Sequence, residues 1–312
     1  MLRKLKDLIR NSLPVTFLIG ISKKIILPGF DGLPLYDVAT FFLQGIQKGL
    51  ITTRAASLAF RFFLALFPFI LFLFTLIPYL PIENFHEQLL MQLQSILPKE
   101  AFNLVRETID DLVSRPREGL LSVGFILALY FSTNGISAMI TAFNQSYFTI
   151  EKRNFIKQRL VAIMLIMILT SLLFTAVALI IFGKMLLAYL VSYDVITNTA
   201  TLYIFQISKW LIIILMFYFS ISFLYFMGPS RKTKWRFRSA GSTLATVLTI
   251  VVSLGFAYFV NHFGQYNKLY GSIGSLIVIM LWIYFNSIII LIGFELNASI
   301  HNARQEKLLG EE

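Results

Sequence analysis

The chain has 312 residues, of which 57% are apolar and only 14% charged, with 27 Lys and Arg against 16 Asp and Glu. A soluble domain carries about 25% charged residues, so this composition excludes an ordinary water-soluble fold. Cysteine is absent, which excludes disulfides, thiol catalysis and thiolate metal sites.

The first 54 residues form a segment of their own. Leu2, Leu5 and Ile9 oppose Arg3, Lys4, Lys6 and Arg10, and Val38, Phe41, Phe42 and Ile46 share one face of a second stretch. Both patterns predict amphipathic helices lying on a membrane surface. No apolar stretch with a small-residue cleavage site marks the start as a signal peptide. Residues 55–300 follow as a membrane domain, with nearly uncharged runs at 57–79, 120–146, 160–182, 205–226, 240–261 and 272–296. A helix needs about 20 apolar residues to cross the hydrocarbon. The backbone must satisfy its own hydrogen bonds there, so the runs are read as helices. They lack the alternation of a transmembrane barrel strand. The loop 80–119 reads as two amphipathic helices broken at Pro98, with Phe85, Leu89, Leu93 and Ile96 before it and Phe102, Val105, Ile109 and Leu112 after. Residues 301–312 form a tail. The predicted fold is an all-α bundle of six transmembrane helices with amphipathic flanking helices.

Charge sets the orientation. The segment before the first run holds Arg3, Lys4, Lys6, Arg10, Lys23, Lys24, Lys48 and Arg54. Lys152, Arg153, Lys157 and Arg159 precede the third, Arg231, Lys232, Lys234, Arg236 and Arg238 precede the fifth, and Arg304 and Lys307 follow the sixth. These nineteen face only Lys99, Arg106, Arg115, Arg117, Lys184 and Lys268 in the alternate loops. The positive-inside rule then places both termini in the cytoplasm. The net charge of +11 therefore reflects topology and attraction to anionic lipid headgroups, not nucleic-acid binding. A homo-oligomer is possible but not indicated.

No catalytic residue, metal site or cofactor is expected. His86, His262 and His301 form no HxxxH or HxE spacing, and Asp110-Asp111 are helix neighbours that point about 100° apart. No Walker loop, GxSxG or zinc motif is present. The informative residues are polar or helix-breaking ones inside the apolar runs. Pro68 frees the carbonyl of Leu64 in the first. Asn134-Gly135 offer a point of unwinding in the second. Thr246 and Thr249 lie in the fifth, and Asn286 in the sixth. They fit a midplane polar cavity of the transporter kind or interhelical hydrogen bonding. Pro68, Asn134, Gly135, Thr249 and Asn286 are the expected cavity residues. Arg61 and Glu295, at similar depth, are an expected ion pair, with proton or anion coupling as the sharper alternative. Gly241, Ala245, Thr249, Ser253 and Ala257 repeat every four residues, a stripe expected to pack on another helix.

At the last two runs the sequence is recognisable. Tyr266-Asn267-Lys268-Leu269-Tyr270-Gly271-Ser272-Ile273-Gly274 leads to Leu281-Trp282-Ile283-Tyr284 and Gly293-Phe294-Glu295-Leu296-Asn297. With Ala55 to Phe60, Leu66-Phe67-Pro68, Ser132 to Asn144 and Trp235 to Gly241, this resembles the YihY/BrkB family of bacterial inner-membrane proteins. The resemblance covers most of residues 50–300. It implies six spans with cytoplasmic ends and no settled activity. Family members have carried the label ribonuclease BN and a link to serum resistance and virulence. Arg61 departs from the pattern, which implies a neutral or aromatic residue there. The expected function is moving or handling a lipid or anionic envelope substrate through the midplane cavity. The alternatives are a non-transporting scaffold for envelope assembly and, disfavoured on the residues, a ribonuclease.

Overall fold

The computed structural model describes residues 20–48, 50–79, 117–146, 153–192, 199–230, 239–262 and 272–310. The amphipathic start, the paired helices of the first long loop, Asp110-Asp111, His86 and the basic cluster 231–238 lie outside the described residues. Among the described residues the secondary structure is all helical. Helix α1 is Leu35–Lys48, α2 Ile51–Leu76 followed by a 3-10 turn at Ile77–Tyr79, α3 Glu118–Asn144 and α4 Phe155–Ser192. Helix α5 is Thr199–Met227, α6 Ala240–His262 and α7 Ser272–Gly310. Six of them, α2 to α7, are long and apolar enough to cross a membrane. The protein is an all-α membrane protein.

Local chemistry explains the helix ends. Ser239 caps α6, its Oγ accepting the Ser242 N–H at 3.0 Å. Pro34 precedes α1, and Asp37 in the first turn complements the helix dipole. A turn with positive φ at Gly29, Asp31 and Gly32 leads into α1, and Leu50, at φ 46°, joins α1 to α2. Inside the spans, hydroxyls bond back to their own helix: Thr75 to Leu71, Thr133 to Leu129, Thr246 to Ser242 and Ser287 to Ile283. This satisfies a buried donor without a partner helix.

The chain divides into two compact units. The first holds residues up to Ala55, Met139–Val252 and Ile288–Glu312. Part of the apolar face of its α1 packs on protein. Val38 is buried with Phe30, Leu33, Ile300 and Ala303, and Phe41 packs against that cluster. Helix α7 continues through residues 301–310, and Ile300 and Ala303 supply the other wall. Arg304 reaches Asp31 at 3.6 Å. The second unit, Ala56–Ala138 and Ser253–Ser287, is organised by the approach of α2 to α3. A side chain at Gly124 would meet the Phe72 backbone at 3.2 Å, and one at Gly135 would meet the Phe62 ring at 2.9 Å. The two contacts run in antiparallel register, and Phe72 and Phe125 pack at 5.5 Å between centroids.

Candidate functional site

Within the first unit, a buried polar knot gathers around Glu295 of α7, which is 4% exposed. Ser146, in the turn after α3, donates its hydroxyl to Glu295 Oε2 at 2.6 Å. Arg54, in the first turn of α2, places Nη2 at 3.8 Å from the same oxygen. Its Nη1 donates to the Ala142 carbonyl at 2.8 Å and to Ser146 Oγ at 3.3 Å. Ala142 belongs to the last turn of α3, whose carbonyls have no partner within the helix. Arg54 therefore neutralises Glu295 and caps α3 with one guanidinium. Asn302, two turns further along α7, donates to the Ser146 carbonyl at 3.2 Å. Helix α1 covers the knot at Gly45, where any Cβ would collide with the Glu295 carboxylate.

Beside the knot, α6 and α7 touch at their backbones. A Cβ on Gly241 would strike the Gly293 carbonyl, and one on Gly293 would lie 2.7 Å from Ala245 Cβ. Asn297 accepts the Gly241 N–H at 2.8 Å and donates to Ser239 Oγ at 3.0 Å. Tyr225 of α5 donates to the Ile290 carbonyl at 2.7 Å. Its ring joins Phe143 and Phe294, which stack at 4.2 Å. A second arginine closes α5: Arg153 donates to the carbonyls of Met227, Gly228 and Pro229 at 3.2, 2.8 and 2.6 Å. Burial holds the Arg153 guanidinium below its ordinary pKa. Asn144 and Ser230 exchange two hydrogen bonds, at 2.8 and 2.7 Å.

The same unit contains a cleft of about 650 Å³ between α4 and α5. Leu179, Phe182, Met185, Phe205, Ile212 and Ile213 make its walls apolar, and Tyr189, Ser208 and Lys209 add the polar groups. The Lys209 ammonium stands 5.5 Å from the centre of the Trp210 ring.

The family model for virulence factor BrkB matches residues 42–312. The chain belongs to the BrkB family. It is 34% identical over 253 residues, 81% of this chain and 91% of the relative, to a putative ribonuclease-like protein YfkH of Bacillus subtilis. It is 24% identical over 274 residues, 88% of this chain and 90% of the relative, to a UPF0761 membrane protein of Alteromonas mediterranea. An 80-residue stretch is 34% identical to a UPF0761 membrane protein of Tolumonas auensis, covering 26% of each chain. No solved structure matches.

The stretch Gly293 to Asn297, which carried the BrkB resemblance, lies at the centre of these contacts. Gly293 meets Gly241, Phe294 stacks on Phe143, Glu295 faces Arg54, and Asn297 holds the start of α6. Two expectations about this BrkB chain need correction. Glu295 pairs with Arg54, whereas Arg61 is exposed. The reason is depth: α2 begins at Ile51, so Arg54 is already helical and lies two turns nearer the start. Helix α3 also runs unbroken through Asn134-Gly135, because Gly135 serves close approach to Phe62 and not unwinding.

The other expected residues fall as follows. Pro68 stands inside a continuous α2. Asn286 donates to the Trp282 carbonyl of its own helix at 2.8 Å. Asn134 and Thr249 are half-buried, and Thr249 Oγ1 is a buried atom with no hydrogen-bond partner among the described residues. Pro68, Asn134, Gly135 and Asn286 belong to the second unit and Thr249 to the first. Along the stripe, Gly241 and Ala245 are buried, Thr249 and Ser253 half-buried, and Ala257 exposed. Sequence reasoning missed Arg54, Ser146, Gly45 and Asn302. Only Arg54 carried a signal, the small residues Ala55-Ala56-Ser57 that follow it and let a helix start there pack closely. Among the described residues no three His, Asp or Glu side chains gather as a metal site.

Proposed function

We propose that this BrkB-family protein sits in the bacterial inner membrane with both ends in the cytoplasm and handles a lipid of the envelope without catalysing a reaction. The observation that carries this reading is the α4–α5 cleft, whose described lining is apolar apart from Tyr189, Ser208 and one lysine. Such a surface suits an amphiphile, whose chain needs apolar walls and whose head needs a polar contact. The orientation is supported by the nineteen-to-six division of basic residues between alternate segments. Within the second unit, Pro68, Asn134, Gly135 and Asn286 remain the proposed residues that a head group would meet.

A ribonuclease would need an acid–base pair or metal cluster open to water. Glu295 is instead committed to Arg54 and Ser146 beneath α1. A scaffold for envelope assembly would need no lipid in the cleft.

The experiment is lipid profiling of a deletion strain, paired with extraction of lipid from the purified protein. A lipid class displaced in the strain, restored by the wild-type gene and co-purifying with the protein, is the expected result. An unchanged profile together with lipid-free protein would leave the scaffold as the better reading.

A further inference from the structure

We infer that the α4–α5 cleft selects an anionic phospholipid, with Lys209 holding the phosphate-bearing head while the apolar walls take an acyl chain. The inference rests on the cleft being a lipid site, as proposed above, and adds the class of lipid and the residue that reads it.

Three observations carry it. The first is charge. Among the described residues Lys209 is the one charged side chain in the lining, and no carboxylate pairs with it. A lysine at the margin of hydrocarbon is costly unless it reaches water or an anion. The second is depth. Helix α5 runs Thr199–Met227, so Lys209 stands eighteen residues, ~27 Å, from its Met227 end, close to the ~30 Å that the hydrocarbon core spans. That depth is the level of lipid headgroups, and Trp210 beside it is the residue type that favours the interface. The third is the composition of the walls. Ser208, next to Lys209 in the chain, brings a hydroxyl into the lining, while Phe182, Phe205, Ile212 and Ile213 carry none. A phosphate can accept from an ammonium and from hydroxyls together. A zwitterionic head would bring its own cation to the same place and lose part of that attraction.

The chain provides its own probe. It has three tryptophans, and Trp235→Phe with Trp282→Phe leaves Trp210 beside Lys209. The purified protein is held in detergent micelles, and traces of phosphatidylglycerol or phosphatidylcholine with brominated chains are added. Bromine quenches indole fluorescence only at close range, so a lipid held in the cleft reports itself. A protein keeping only Trp282, which is exposed, measures random encounter in the micelle. Half-quenching of Trp210 is expected at about fivefold less brominated phosphatidylglycerol than phosphatidylcholine, the factor equivalent to the ~1 kcal/mol that a lysine contributes near anionic lipid. Lys209→Gln should erase the difference and Lys209→Arg should keep it.

Equal quenching by the two lipids, both stronger than at Trp282, would overturn the headgroup inference and leave the lipid site standing. Quenching of Trp210 no stronger than that of Trp282 by either lipid would remove the lipid site itself. A preference that survives Lys209→Gln would move the headgroup contact to another residue and overturn the assignment.

Discussion

Glu295 shows how one side chain ties four segments together. Its carboxylate meets Arg54 and Ser146, its neighbour across the cover is Gly45, and Asn302 completes the bond to the Ser146 carbonyl. Removing one member of a buried ion pair costs about 3–5 kcal/mol, because the survivor keeps its desolvation penalty. Glu295→Gln and Arg54→Gln should each lower the thermal unfolding temperature in detergent. The double variant should lose less than the sum of the two, since neither charge is then stranded. Additive losses would show that the two groups act apart. Gly45→Ala should destabilise by about 1–3 kcal/mol through overpacking against the carboxylate. Leu50 offers the opposite sign. It holds φ at 46°, where glycine is unstrained, so Leu50→Gly should raise stability by up to ~1 kcal/mol, read as a higher melting temperature. The position of Glu295 inside a span was legible because a carboxylate stands out in an apolar run. Its partner was not legible from hydropathy. Arg54 lies outside the apolar run, and hydropathy cannot see that a helix starts before its apolar part does.

The element scale is best seen in α6 and α7. Ala245 is fully buried, and Val247, two residues on, is 53% exposed. A leucine at 245 would have to displace the Gly293 backbone, whereas one at 247 adds a methylene on an open face. Ala245→Leu should therefore cost about 1–3 kcal/mol or prevent assembly. Val247→Leu should leave the melting temperature of the detergent-solubilised protein nearly unchanged. Similar behaviour at both positions would mean that the α6 surface is not the one described. The period-four stripe was readable from the residue sizes. How far along the helix it stays covered was not, because Ala257 is as small as Ala245 and yet exposed. Size tells where a neighbour can come close, and the neighbour's own path decides whether it does. Helix α1 teaches the same lesson. Its apolar face was plain in the sequence, while the choice between lipid and the Ile300–Ala303 wall depended on α7 continuing past its apolar stretch.

At the scale of the whole molecule, the six spans followed from hydropathy alone, since in lipid every long uncharged run has one structural solution. The division into two units did not, because each of α2, α3, α6 and α7 contributes to both, and no change of composition marks the points of division. The proposed orientation has a direct check. Reporter fusions at Ser230 and after Gly310 should give cytoplasmic signals, and fusions near Asn103 and Gln265 should give signals from the far side. A cytoplasmic signal at Asn103 would overturn the charge argument. The Gly241–Gly293 contact also limits how the first unit can move. If α6 slid by one turn, about 5.4 Å, the methyl of Ala245 would arrive where Gly241 now lies and run into the Gly293 carbonyl. Piston motion between these helices is therefore blocked. Rotation meets less resistance, because the backbones touch directly and only the Ala245 methyl and the Asn297 amide flank the contact. Within the first unit, relative movement of α6 and α7 would turn on that point as on a pivot, with displacement growing with distance from Gly241.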